Sequence, residues 1–149
     1  MWGAYWIPLR VLDASGFSGV LATGVIHVIP ALILLPLILK RRSSFRRGGI
    51  ALQSTGAAMA LGILLYSTAF LYTDVVRAVL LYYLTPIWGT LFARLWLAEK
   101  ISFDRIFGIV LGMAGMLIIF NIDQGLPAPK NPGDWMALGS GVIWALAAT

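Results

Sequence analysis

The stretch "VVRAVLLYYLTPIWGTLFARLWLAEK", Val75–Lys100, decides how the chain is read. It is apolar and long enough to cross a bilayer, which takes about 20 residues of helix. Yet it keeps Arg77 near one end and Pro86 in its middle. An arginine is costly in hydrocarbon, and a proline breaks the hydrogen-bond ladder of a helix. Both therefore ask for a reason.

The surroundings of the stretch are of the same kind. Of 149 residues, 60% are hydrophobic and 11% charged, with a mean hydropathy of +0.88. A soluble domain is nearer half apolar and a quarter charged, so this is a membrane protein. Its apolar stretches must be helices, because lipid offers the backbone no partner and the alternating pattern of barrel strands is missing. The fold class is all-α, a polytopic transmembrane helix bundle.

Several classes of function fall away. With no cysteine there is no disulfide, thiolate metal site or thiol nucleophile. One histidine, six scattered acids and no phosphate-cradling loop form no catalytic constellation, so neither an enzyme nor a cofactor is expected. The net charge of +5 reflects topology, since the basic residues lie at helix ends and in short loops; nucleic acid is not the expected partner.

Upstream of Val75, "MWGAYWIPLRVL" is too short to span, and apolar runs follow at about 17–39 and 49–71. They are separated by "KRRSSFRR", which holds five basic residues and no acid and marks a cytoplasmic loop. Downstream of Ala98, "EKISFDR" leads to a fifth run at about 106–122. "NIDQGLPAPKNPGD" reads as an exposed loop, and a sixth run starts at Trp135. With helices reversing at each turn, Lys40, Arg41, Arg42, Arg46, Arg47, Arg94, Lys100 and Arg105 fall on the cytoplasmic side. Arg10, Arg77 and Lys130 fall opposite, so the N-terminus is expected inside a bacterial-type inner membrane. Both ends lie within helices, and a fragment of a longer polytopic protein is expected. "MWGAYWIP" and "VIWALAAT" hint at an internal repeat of five helices, an odd number that would invert the second copy.

"WGAYW", "RAVLLYYLTPIWGTLFARLWLAEKIS" and "GIVLGMAGMLIIF" together resemble the EamA-type transporters of the drug/metabolite transporter superfamily. The fourth-run motif carries most of the resemblance, through Ala78, Tyr83, Leu84, Pro86 and Glu99. The resemblance implies a first repeat over 1–122, a loop over 123–134 and the start of an inverted second repeat over 135–149. It also implies a carrier with ten helices that exports small organic metabolites such as amino acids. The family's first helix has further apolar residues before Trp-Gly, and an arginine often stands about where His27 lies here.

Candidate site residues follow. At 100° per residue Arg77, Leu81, Thr85, Trp88 and Phe92 share a face, which suits an anionic or zwitterionic organic solute; the alternative is a snorkelling arginine over a packing face. Pro86 releases the carbonyl near Tyr82, either for solute and bending or merely as a tolerated kink. Among the aromatics Trp2, Tyr5, Trp6, Tyr66, Tyr82 and Tyr83, Tyr66 and Tyr82 suit hydroxyls in a cavity. Trp6 and Arg10, one turn apart, either face the pathway or sit beside a surface pair with Asp13. His27 offers a proton relay, against a histidine bonded to a neighbouring helix. Arg94, Glu99 and Lys100 form a candidate cytoplasmic gate, with Arg94 or Arg105 as partner of Glu99. Gly108, Gly112 and Gly115 suit close packing within the chain, with a homodimer as the lesser alternative. The rival readings are a small multidrug exporter, which would need an acid inside the first helix, and a non-transporting scaffold or truncated remnant.

Overall fold

The computed structural model describes residues 6–17, 20–119 and 128–149. All regular structure among them is helical: α1 (Trp6–Ala14), α2 (Val20–Lys40), α3 (Arg42–Arg47), α4 (Gly49–Tyr72), α5 (Val75–Tyr82), α6 (Thr85–Trp96), α7 (Phe103–Ile119) and α8 (Pro132–Ala148). Among the described residues three stretches have the length and apolarity to cross a membrane: Leu21–Lys40, Gly49–Tyr72 and Val75–Trp96. The first residues of "WGAYW", with Trp2 and Tyr5, lie outside the described residues.

The packing is that of a protein in lipid. Along α2 the large side chains Leu32, Ile33, Leu37 and Leu39 are exposed, whereas Ala22 and Thr23 are buried. On α4 the buried residues are Gly62, Ser67, Thr68, Ala69 and Phe70. Small and hydroxylic residues inside, with bulky aliphatics outside, is the pattern expected where lipid removes the hydrophobic drive between helices and close backbone approach must replace it. The Thr68 hydroxyl, 3.4 Å from that of Thr23, joins α4 to α2.

α8 is the element around which the rest is arranged. It packs along α4 and against both α5 and α6, through a face of Gly133, Asp134, Ala137, Ser140, Gly141 and Ala145. A Cβ on Gly141 would stand 2.9 Å from the Thr85 hydroxyl and 3.0 Å from the Tyr82 carbonyl oxygen. A Cβ on Gly133 would stand 2.8 Å from the Tyr72 carbonyl carbon and 2.9 Å from the Thr73 amide. The helix also begins earlier than the apolar run suggests. Asn131 accepts a hydrogen bond from the Asp134 amide as N-cap, and Pro132 takes the first helical position, where its missing N–H costs nothing. The exposed loop expected to run to residue 134 therefore ends in a docked helix start, with Gly133 and Asp134 buried.

The fourth span also differs from its expected form. One helix was expected over Val75–Ala98, and the chain instead makes two, α5 and α6, separated by Tyr83 and Leu84. Pro86 has no N–H for the Tyr82 carbonyl, and its ring disfavours helix one turn back, so the ladder stops. The freed carbonyl accepts the Thr85 hydroxyl instead. Pro86 itself sits in the first turn of α6, where proline is well tolerated. At its far end α6 stops at Trp96, and Ala98 adopts a left-handed backbone, φ 51°. Glu99 and Lys100 thus lie beyond the helix.

The close packing expected at Gly108, Gly112 and Gly115 is not seen among the described residues. A Cβ at any of the three would meet nothing within 4 Å. They face an apolar space of about 610 Å³ between α7 and the Tyr83–Ile87 segment.

Gly133→Ala should lower the melting temperature of the detergent-solubilised protein, at a cost of about 1–3 kcal/mol of stability, because the backbone it meets at Tyr72 and Thr73 cannot yield. Gly112→Ala, which meets open space, should leave it unchanged or slightly raised.

Candidate functional site

Where α5 breaks from α6, the helices leave a cavity of about 360 Å³ lined by Gly62, Ile63, Tyr66, Tyr82, Tyr83 and Trp144. Its wall is aromatic because α4, α5 and α8 each turn a ring toward the break. The Tyr66 and Tyr82 rings lie 4.4 Å apart between centroids at 41°. Tyr82 and Tyr83 meet edge to face at 6.1 Å, and Tyr66 leans on Phe70 at 4.7 Å. A second space of about 660 Å³ shares Tyr82, Tyr83 and Trp144 with the first and extends past Thr85, Pro86 and Thr90 toward Glu99 and Arg105.

A cluster of hydrogen bonds around Asp134 joins α8 to the start of α5. Asp134, whose side chain has no exposure, lies under Arg77, whose guanidinium grips it through Nη2 at 2.6 Å and Nε at 3.4 Å. The Thr73 hydroxyl and the Lys130 amide also donate to the carboxylate. Arg77 further donates to the Ala128 carbonyl at 2.8 Å, and the Asn131 amide donates to Thr73 at 3.1 Å. Asp74, one turn before Arg77, caps α5 by accepting from the Val76 amide. Asp134 precedes the apolar run from Trp135 and so lies outside the spanning segments. Burial pushes its carboxyl up, but the bonds from Arg77, Thr73 and Lys130 outweigh burial and hold it at about 2.

This places the candidate residues as follows. Tyr66 and Tyr82 line the first space, and Tyr82, Thr85 and Pro86 line the second. Arg77 does not present its charge on one face with Thr85 and Trp88, because Asp134 occupies it. The Trp88 Nε1 is buried with no hydrogen-bond partner and lines neither space. Arg10 stacks on Trp6, 5.7 Å from the ring centroid, and reaches the Phe70 carbonyl at 3.4 Å, tying α1 to α4. His27 has its Nδ1 2.8 Å from the Thr23 carbonyl of its own helix. At the basic end Arg105 pairs with Glu99 at 3.4 Å and Arg94 donates to the Glu99 carbonyl at 3.3 Å, all three exposed, while Lys100 is exposed beside them. Asp134 and Trp144 escaped the sequence reading. The Asn-Pro-Gly-Asp run, a cap followed by an acid in the first helical turn, was the available signal for Asp134.

The pH dependence of Asp134 has a definite sign. A carboxyl held below its ordinary value stabilises the fold above that value, near 3.8, and the contribution is lost as pH falls through about 2. Stability in detergent should therefore fall by roughly 2 kcal/mol between pH 4 and pH 2, with this group giving no slope from pH 5 to pH 8. Asp134→Asn should remove that acid limb.

Residues 1–121 match the EamA-like transporter family. Over 98% of its length the chain is 28% identical to the "Uncharacterized transporter YvbV" of Bacillus subtilis (strain 168), of which it spans about half, 48%. No solved structure matches it. Helices long and apolar enough to cross a membrane agree with that match: the chain is an integral membrane protein and belongs to the EamA-like transporter family.

Proposed function

We propose that the chain works in a secondary carrier that exports small organic metabolites across a bacterial inner membrane by alternating access, with its N-terminus and basic loops in the cytoplasm. The observation that carries this reading is the asymmetry of the pathway. Beside the aromatic cavity at the α5–α6 break lies a larger space that runs past Thr85 and Pro86 to Glu99 and Arg105 at the basic end. At the other end α8 is clamped to α4 and α5 by Asp134. Space at the basic end and a latch at the other fit one half of an alternating-access cycle. In the other half, the Arg77–Asp134 latch would part while the basic end closes around Glu99, Arg94 and Arg105. The break supplies the hinge, since Tyr83 and Leu84 lie outside both helices and the Tyr82 carbonyl is satisfied by Thr85 rather than by the ladder. The inverted second repeat implied by the family resemblance would complete the cavity.

The absence of cysteine from this chain allows a direct test. A single cysteine at Ile63, in the cavity wall, should react with a membrane-impermeant maleimide at an initial rate about tenfold higher from the side of the basic loops. Adding Asp134→Asn should raise the rate from the other side several-fold. Equal initial rates from both sides before that change, at equal membrane content, would contradict the proposed asymmetry.

A further inference from the structure

We infer that the aromatic cavity takes a soft organic cation, such as a quaternary ammonium group carried on an aromatic ring, rather than an anion. This rests on the carrier reading above and names the solute class of the same site.

The charges decide against an anion. Among the described residues no Lys, Arg, Asp, Glu or His lines the cavity. The nearest cation along α5 is Arg77, and two of its nitrogens are committed to a carboxylate that is fully buried. Arg10 is turned onto Trp6 and the Phe70 carbonyl. An anion moved into this space would lose its hydration with no side-chain charge to replace it. The break sets the carbonyl end of α5 against the amide end of α6, so the two helix dipoles largely offset and leave the rings to set the sign of the potential.

Ring faces are negative, and here four rings surround one small space: Tyr66, Tyr82, Tyr83 and Trp144. They are not stacked flat against one another: Tyr66 and Tyr82 are inclined at 41° and Tyr82 and Tyr83 at 64°, so the wall holds rings in several orientations. With no carboxylate in the wall, a compact, strongly hydrated ammonium would pay too much in desolvation. A quaternary or delocalised cation, weakly hydrated to begin with, loses little and gains the ring faces. The volume, about 360 Å³, is at the small end for organic ligand sites. This departs from the anionic or zwitterionic solute expected when Arg77 was placed on the solute-facing stripe.

The test uses the purified full chain in detergent and three probes that share a benzyl group: benzyltrimethylammonium, the neutral N-benzylacetamide and the anionic phenylacetate. Calorimetric titration should show the cation binding about tenfold tighter than either of the others. Tyr66→Leu should weaken the cation about fivefold or more, and Tyr66→Phe, which keeps the ring face, should restore binding to within about twofold. The inference is overturned if phenylacetate or the amide binds as tightly as the cation, if none of the three binds, or if a folded Tyr66→Leu protein binds the cation unchanged. Flux of the same probes into proteoliposomes separates this inference from the carrier reading. Binding with the expected ring dependence but no transport supports the site and refutes the carrier. Transport of phenylacetate without binding of the cation refutes the solute class and keeps the carrier.

Discussion

A carboxylate with no exposure to solvent, that of Asp134, must be matched by donors, and the matching organises the bundle. Its partners come from three places: Thr73 in the α4–α5 turn, Arg77 on α5 and the Lys130 amide ahead of α8. Meeting all of them fixes the height of α8 against α4 and α5. Gly133 then touches the backbone at Tyr72 and Thr73, and Gly141 falls opposite the Tyr82–Thr85 break. Removing either charge would leave the other in a setting with few alternatives, which is why breaking such a pair costs more than forming it contributes.

From that register the cavity follows. The break occurs because Pro86 cannot serve the Tyr82 carbonyl, and it persists because Thr85 can. Had α5 and α6 been one straight helix, Tyr82 and Tyr83 would lie on a regular surface; the break instead lets both line the space under Trp144. The same small residues that let α8 approach leave Trp144 as the large ring on that side. Arginine and proline in one membrane span thus have separate reasons: Arg77 anchors α8, and Pro86 opens the span that α8 covers.

Much of the layout was legible from hydropathy and punctuation. Gly49–Tyr72 matched its expected bounds to within a residue, because the basic loop before it and the Thr-Asp turn after it are unambiguous. Pro86 flagged the break, although periodicity could not say whether the span would bend or divide. The partner of Arg77 was not legible, since Asp134 lies 57 residues away and only the packing of α8 brings it there. Glycine spacing misled in the same way. Gly108, Gly112 and Gly115 have the pattern of a packing seam yet meet open space, while Gly133 and Gly141, four residues either side of Ala137 in the same kind of pattern, make the close contacts. Spacing shows that a face is small, and only the neighbour shows whether the face is used.

A double-mutant cycle measures whether the Arg77–Asp134 pair holds α8 in place over the cavity. Arg77→Gln, Asp134→Asn and the double variant would be compared with the parent by thermal unfolding in detergent at neutral pH. A coupling of about 2 kcal/mol or more is expected, with the double variant little worse than either single one. Additive losses, with coupling near zero, would contradict it.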